Sequence, residues 1–115
     1  MIDLHTHSSA SDGTARPAEI YGLAKRMGLT AVALADHDTT GGLDEFLASA
    51  IPGGPAAVPG VEISVARADR EIHLVGLFIR EHCAALEDLL ADIRQHRDER
   101  NPMIIERLRG MGYDI

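Results

Sequence analysis

The sequence has little of several residue types that mark particular classes of protein. It contains one cysteine in 115 residues, so a disulfide within the chain is excluded and a reducing compartment is indicated. Aromatic residues make up only 3%, so the core must consist of Leu, Ile, Val, Ala and Met. There is no signal-peptide pattern and no apolar run near the roughly 20 residues of a membrane span. We therefore expect a cytoplasmic protein without a membrane partner.

Basic residues are also few, because 11 Lys and Arg stand against 18 Asp and Glu, for a formal net charge of -7. A general nucleic-acid-binding face is normally basic, so this balance argues against one. It does not exclude a nucleotide whose phosphates are held by bound cations. The length and a hydrophobic fraction of 45% are typical of one globular unit.

The first third of the sequence predicts a β-α-β unit. Residues 1–5 predict a strand, Pro17 begins a helix and Gly28 ends it. The apolar run TAVALA at 30–35 predicts a second strand, parallel to the first. Four residues at helical spacing predict the buried face of the helix: Ile20, Leu23, Ala24 and Met27.

The remaining sequence predicts a short helix, a hairpin and a helical end. The short helix covers 43–50, and the β-rich segments 58–66 and 71–78 form the hairpin around the polar link 67–70. From Cys83 onward the spacing is helical. Asn101-Pro102 predicts the start of a separate second helix that ends near 110–112.

Residues that can bind metal ions recur at or near the ends of the predicted strands, in DLHTHS, SDG, ADHD, PGVEIS and EIHLVG. The strand ends of an α/β sheet meet at one rim, so we expect these side chains to converge. Imidazoles and carboxylates without thiolates suit Zn, Mn or Fe, and two or more such ions can supply a hydroxide nucleophile and bind phosphoryl oxygens. The six candidates are His5, His7, Asp12, His37, Glu62 and His73.

Each candidate taken alone has a simpler explanation. Asp12 in Ser-Asp-Gly is typical of an ordinary turn, and a single His73 is more often a hydrogen-bonded core histidine than a ligand. The polar residues 36–38 directly follow a buried strand, so they are capping, paired or functional, but taken alone a solvated loop explains them equally well. Only the ordered combination favours metal-assisted hydrolysis.

The segments DLHTHSSASDG, ADHDT, PGVEIS and EIHLVG resemble, in this order and spacing, the N-terminal half of the PHP (polymerase and histidinol phosphatase) superfamily. The resemblance implies an α/β fold, with 1–80 forming the N-terminal part of a distorted (β/α)7 barrel that carries metal ligands. It also implies two or three divalent ions, with Glu62 bridging between ions. The implied ligands are His5, His7, Asp12, His37, Glu62 and His73.

The last segment, HRDERNPMIIERLRGMGYDI, is similar to the start of a helical insertion found in one branch of that superfamily, so we expect 81–115 to begin such an insertion. That branch includes nucleoside 3′,5′-bisphosphate phosphatases and 5′-to-3′ exoribonucleases that act on short RNA. Arg97 and Arg100 are candidates for contact with a substrate phosphate. A solvated helix face, with Asp98 and Glu99 as salt partners, is the stronger interpretation of these two arginines.

The resemblance implies a metal-dependent phosphoesterase that attacks the phosphate ester of a nucleotide or short RNA through a metal-bound hydroxide. The general acid is not identified. The superfamily's remaining ligands, a His and an Asp-x-His pair, are absent from this sequence, so we expect either a piece of a longer enzyme or a non-catalytic metal-binding or interaction module. An unpaired edge strand and an uncovered apolar face then predict self-association. Another alternative is a metal-dependent amidohydrolase.

Overall fold

Four strands form one sheet in the computed structural model, which describes residues 1–67 and 70–115. The sheet order is β1-β2-β3-β4, and helices precede or follow the strands in a mixed α/β arrangement. Residues 68–69 of the predicted hairpin link lie outside the described ranges. The elements in chain order are β1 (Ile2–Thr6), α1 (Pro17–Arg26), β2 (Ala31–Leu34), α2 (Leu43–Ala48), β3 (Ala56–Arg67), β4 (Arg70–Leu77) and α3 (Ala84–Gly110).

The pairing of the strands confirms the predicted β-α-β unit and the hairpin. β1 pairs with β2 and β2 with β3 in parallel, whereas β3 and β4 are antiparallel. β3 has 12 residues and β2 only 4, so β3 continues well past the end of β2. The second half of β3 therefore lies at the rim where the parallel strands end, and it pairs with β4.

The core lies between the helices and one face of the sheet, and its buried members are Tyr21, Ala24, Val32, Leu34, Leu43 and Phe46. The expectation of a core of Leu, Ile, Val, Ala and Met alone is therefore wrong, because two of these members are aromatic. The predicted inner face of α1 is partly wrong, because Leu23 is 40% and Met27 73% exposed. Ala24 is buried as predicted, and Pro17 and Tyr21 share the inner face with it, at spacing i, i+4, i+7. The Tyr21 hydroxyl donates a hydrogen bond to the Pro55 carbonyl at 3.0 Å, which lets this aromatic residue take the inner face.

The helix boundaries differ from the prediction in two places. α2 ends at Ala48 rather than at residue 50. The predicted break at Asn101-Pro102 is wrong, because α3 is continuous for 27 residues with Pro102 inside it. Glu, Arg, Met and Ile on both sides of Pro102 are good or moderate helix formers, so the helix continues although one backbone hydrogen bond is lost.

Several apolar side chains outside the core are exposed. Ile72 and Leu74 of β4 are 38% and 54% exposed, and Met103 and Ile104 of α3 are exposed as well. β1 and β4 are the two ends of the sheet. These surfaces are those on which self-association was predicted, and self-association stays a prediction, as does a domain boundary near residue 80. Within the described ranges, no helix has both the length and the apolar composition needed to cross a bilayer.

Candidate metal centre

The strand ends bring the six predicted residues into one cluster. His5 is in β1 and His7 follows it, Asp12 lies in the next loop, His37 follows β2, Glu62 is in β3, and His73 is in β4. The register of β1 against β2 shifts between Asp3 and Thr6, which is where His5 lies. Such irregularities turn a strand end and change the direction of its side chains. The convergence predicted for parallel strand ends is therefore what the structure shows.

Backbone hydrogen bonds place His37 beside Glu62. The Glu62 amide donates to the Asp36 carbonyl at 3.0 Å, and the Asp38 amide donates to the Glu62 carbonyl at 2.8 Å. His37 and Glu62 thus form an isolated parallel bridge beyond the end of β2. On the other side, Ser64 is paired with His73, so His73 and Glu62 lie on the same face of the hairpin, as the period-two alternation predicts.

Glu62 is the centre of the cluster and is only 4% exposed. Its Oε2 lies 2.8 Å from His5 Nε2, 3.2 Å from His7 Nε2 and 3.5 Å from His37 Nδ1. Its Oε1 lies 3.1 Å from His73 Nδ1. Burial raises the pKa of the Glu62 carboxyl, but the hydrogen bond with His5 and the charges of the nearby imidazoles outweigh it, so the pKa lies below its ordinary value. Glu62 is therefore held as a carboxylate.

Asp12 completes the cluster from the loop side. Its two carboxylate oxygens lie 3.4 Å from His7 Nδ1 and 3.6 Å from His37 Nε2. The imidazoles form a row, with ring centroids 4.9 Å apart for His5 and His7, 4.6 Å for His7 and His37, and 5.0 Å for His37 and His73. Asp12 is thus close to two rings although it lies in an ordinary polar turn.

The donor atoms fit cation binding. Within the cluster, three groups have potential ligand atoms within 4.8 Å of one another: His5, His7 and Glu62; His7, Asp12 and His37; and His37, Glu62 and His73. A fourth group, outside the cluster, consists of the exposed residues Asp44, Glu81 and His82. The Nδ1 atoms of His7 and His37 are buried and make no hydrogen bond with any described residue. A buried polar atom without a partner is costly, and each of these two lies near a carboxylate oxygen. Nitrogen and oxygen donors of this kind suit a divalent transition metal.

Asp36 supports the loop that carries Asp12. This carboxylate is 2% exposed and accepts hydrogen bonds from the Ser8 amide at 2.6 Å, the Ser8 hydroxyl at 2.7 Å and the Ser11 hydroxyl at 2.6 Å. The polar triplet after a buried strand indicated that Asp36 was paired or functional. The sequence carried no comparable signal for the two serines, because their partner lies 25 to 28 residues away.

Asp38 is fully buried and adopts a positive φ of 52°, a conformation that aspartate tolerates better than most residues. Its carboxylate accepts hydrogen bonds from the Ser64 amide at 2.7 Å and from Arg97 Nη2 at 2.5 Å, while Arg94 Nη1 donates to its carbonyl at 2.6 Å. Two arginines of α3 therefore hold the backbone next to His37. Nothing in the sequence predicted the role of Arg94.

Arg97 and Arg100 lie at the edges of two cavities. The metal cavity, of about 360 Å³, is lined by Ser11, Asp12, His37, His73 and Arg97. The side cavity, of about 270 Å³, is lined by Ser64, Val65, Ala66, Ile93, His96, Arg97 and Arg100. Arg97 borders both and bonds to Asp38 and to the Ser64 hydroxyl at 2.7 Å. The interpretation of Arg97 as a solvated residue paired with Asp98 or Glu99 is thus wrong.

The sequence profile of the PHP domain matches residues 3–104, which is most of the chain. The chain belongs to the PHP domain family. This confirms the family inferred from the DLHTHSSASDG, ADHDT, PGVEIS and EIHLVG segments. The match also extends into α3, so this helix is part of the matched region.

Characterised relatives come from the same branch of the PHP family that the helical segment indicated. The chain is 41% identical over 114 residues to a 3′,5′-nucleoside bisphosphate phosphatase of Chromobacterium violaceum, covering 99% of this chain and 38% of that protein. It is 39% identical to the 5′-3′ exoribonuclease Rnm of Salmonella typhimurium, covering 94% of this chain and 38% of that protein. The chain therefore spans less than half the length of these relatives.

A solved structure shares the fold of this PHP chain. It is an amidohydrolase from Chromobacterium violaceum with bound sulfate and no metal, with a TM-score of 0.88 and 39% identity. The superposition covers 99% of this chain and 40% of that one. The four-stranded sheet and its helices are thus a PHP-like arrangement.

Proposed function

We propose that this protein is a metal-dependent phosphoesterase that hydrolyses the phosphate ester of a nucleotide or of a short RNA end. The observation that carries the proposal is the convergence of four imidazoles and two carboxylates around the buried Glu62. Support also comes from the phosphatase and exoribonuclease relatives, which are named for nucleotide and RNA substrates. The net charge of -7 fits a substrate held through cations rather than through a basic surface.

The six residues would hold two ions that share Glu62. A metal-binding imidazole usually gives one nitrogen to the ion and uses the other for a hydrogen bond. His5 and His7 would bind one ion with one Glu62 oxygen, and His37 and His73 the other, with Asp12 completing the site. The remaining group, His7, Asp12 and His37, shares both of its imidazoles with the other two groups, so a third ion would need further ligands. Manganese, zinc and iron suit this donor set.

Bound divalent ions would supply an activated water and neutralise charge that develops on the phosphoryl oxygens. The chain itself orients the donors. Glu62 keeps its negative charge among the imidazoles because its pKa is lowered. Asp36 holds the loop of Asp12 through Ser8 and Ser11, and Asp38 fixes the backbone beside His37.

Arg97 would bind a phosphate oxygen at the border of the metal cavity. Both of its hydrogen bonds to described residues use Nη2, to Asp38 and Ser64. Nε and Nη1 make none within the described ranges, so they can donate to an anion. The planar guanidinium suits this role because it presents several N–H groups in a fixed geometry. Arg100 lines the neighbouring side cavity and would contact a more distant part of the substrate.

The proposal is tested by replacing His37 with Ala in the manganese- or zinc-loaded protein. We expect loss of bound metal, measured by elemental analysis, together with loss of turnover of a nucleoside bisphosphate. The matched control is His82→Ala, because the His82 side chain is 74% exposed and belongs to none of the three groups of the cluster. Full metal content and full turnover in His37→Ala would overturn the assignment.

Amide hydrolysis is a second candidate function, favoured by the description of the solved relative as an amidohydrolase. A metal-activated water can attack either an acyl carbon or phosphorus. Parallel assays with a nucleoside bisphosphate, a simple phosphate ester and an N-acyl amino acid separate the two candidates. Tight metal binding without turnover of any of them would instead indicate a non-catalytic metal-binding module, which the named relatives do not favour. A cytoplasmic location stays a prediction.

A further inference from the structure

The side cavity has a different chemical character from the metal cavity next to it. Its exposed lining is mainly apolar and comes from Val65 and Ala66 of β3 and Ile93 of α3. His96 and Arg100 lie along its edge, and no carboxylate is among the lining residues that the structure describes. The metal cavity, in contrast, is lined by histidines, Asp12 and Arg97. The side cavity is therefore suited to an uncharged ring that is attached to a negatively charged group.

The two cavities are adjacent, and Arg97 lies between them. Its side chain lines both of them, and Nη2 is held by Asp38 and by the Ser64 hydroxyl. Ser64 is paired across the hairpin with His73, so the side cavity begins one strand away from a metal-cavity residue. A ligand with a phosphate in the metal cavity would pass Arg97 before its remaining atoms entered the side cavity.

We propose that the side cavity binds the nucleoside part of the substrate, while the phosphate under attack lies in the metal cavity. This inference rests on the proposed phosphoesterase function. The volume of about 270 Å³ is just below the roughly 300 Å³ at which pockets for drug-sized ligands begin, so the cavity matches one nucleoside rather than a longer oligonucleotide. The apolar floor buries the faces of a base, and Arg100 attracts a second phosphate on the sugar.

Ala66 is the residue at which this inference can be tested with least disturbance to the fold. It is exposed, and it lies on the same face of β3 as Ser64, because the two are separated by one residue. A leucine at position 66 would take up part of the side cavity and leave every metal-cavity residue in place. The matched control is Ala91→Leu in α3, which adds the same side chain at an exposed position that lines neither cavity.

The experiment compares two phosphate esters in the metal-loaded protein: adenosine 3′,5′-bisphosphate, which has a base, and glycerol 2-phosphate, which has none. We expect Ala66→Leu to lower kcat/KM for the nucleotide about tenfold more than for the glycerol ester, mostly through KM. Ala91→Leu should leave kcat/KM unchanged for both esters. Equal effects of Ala66→Leu on both esters would overturn the inference.

A second measurement makes the test independent of catalysis: titration calorimetry of adenosine binding to the metal-free protein. Wild-type protein and Ala91→Leu should bind adenosine with the same Kd, and Ala66→Leu should bind at least about tenfold more weakly. If the wild type cleaves neither ester yet shows this pattern, the phosphoesterase proposal fails and the nucleoside cavity stands. Adenosine binding that is absent from the wild type, or unchanged in Ala66→Leu, overturns the cavity.

Discussion

Arg97 of α3 donates a hydrogen bond to the carboxylate of Asp38 across 59 residues of sequence, at 2.5 Å. Asp38 is fully buried and Arg97 is 35% exposed in its side chain. A buried carboxylate needs a charged or hydrogen-bonded partner, and Asp38 lies next to His37 in the chain. The long helix that follows the hairpin is therefore connected directly to the backbone of the candidate metal centre.

Arg97→Ala should lower the free energy of unfolding by roughly 1.5–3 kcal/mol, the usual range for a hydrogen bond to a charged group. The larger loss typical of a buried ion pair is not expected, because Arg97 is partly exposed and water can reach the Asp38 carboxylate after truncation. Urea denaturation followed by circular dichroism measures the change.

The control for this substitution is Arg107→Ala, at an exposed position on the same helix, which should stay within about 0.5 kcal/mol of wild type. Equal stability of the two variants would contradict a structural role for the Arg97–Asp38 pair.

The sequence predicted the convergence of the six candidate ligands better than it predicted the side chains that support them. His37 and Glu62 were recognised because a polar residue at the end of an apolar strand is locally visible, and because parallel strand ends meet at one rim. The pairing of Asp38 with Arg97 depends on where α3 packs, which no periodicity encodes. The inner face of α1 was misassigned for a similar reason: the Tyr21 hydroxyl finds the Pro55 carbonyl only in the folded chain.

Glu62→Gln should remove most of the bound metal. The substitution keeps the size of the side chain but replaces a carboxylate, whose lowered pKa keeps it charged among four imidazoles, with a neutral amide. Since removing even an indirect support of a metal ligand typically costs 10–100-fold in affinity, we expect a loss of at least roughly 100-fold.

Competition with a chromogenic chelator gives the metal affinity of Glu62→Gln. Glu106→Gln, at an exposed position of α3, is the control and should retain wild-type affinity. Unaltered metal affinity in Glu62→Gln would refute Glu62 as the shared ligand.

Asp36→Asn should loosen the loop that carries Asp12. The Asp36 carboxylate accepts three hydrogen bonds from Ser8 and Ser11, two of them at one oxygen, and an amide can replace only part of that set. We expect a loss of about 1–3 kcal/mol and faster amide hydrogen exchange in residues 8–13 than in β2.

Mass-spectrometric hydrogen exchange locates this effect in the chain. Asp44→Asn serves for comparison, because the Asp44 side chain is 71% exposed. Exchange that rises equally in the loop and in β2, or in neither, would contradict a specific role of Asp36 in holding the loop.

Gly13→Ala should disturb the metal centre through steric contact alone. A Cβ at position 13 would lie 2.4 Å from the His7 carbonyl oxygen and 2.9 Å from the Ser8 carbonyl carbon, both of which belong to the backbone. The loop between His7 and Asp12 must move, and with it two of the proposed ligands. We expect weaker metal binding and a lower melting temperature.

Gly110→Ala is a matched comparison, because a Cβ at the end of α3 meets nothing within 4 Å. This variant should be neutral or more stable by about 0.5–1 kcal/mol, since alanine favours a helix more than glycine does. Differential scanning calorimetry with and without metal distinguishes the two variants. A Gly13→Ala protein that matches Gly110→Ala in both measurements would show that the loop can accommodate the methyl group.

Pro102→Ala should stabilise the second half of α3. Proline inside a helix removes one N–H donor and its ring crowds the carbonyl four residues earlier, at Asp98, and its cost relative to alanine is about 3 kcal/mol in a helix interior. The residues around Pro102 are exposed, so the gain should appear as local protection of amides near residues 98–106 more than as a higher global stability. Amide hydrogen exchange in this segment should become slower and the helical ellipticity should increase, while metal affinity stays unchanged. Unchanged or lower helix content would contradict a destabilising effect of Pro102 inside α3.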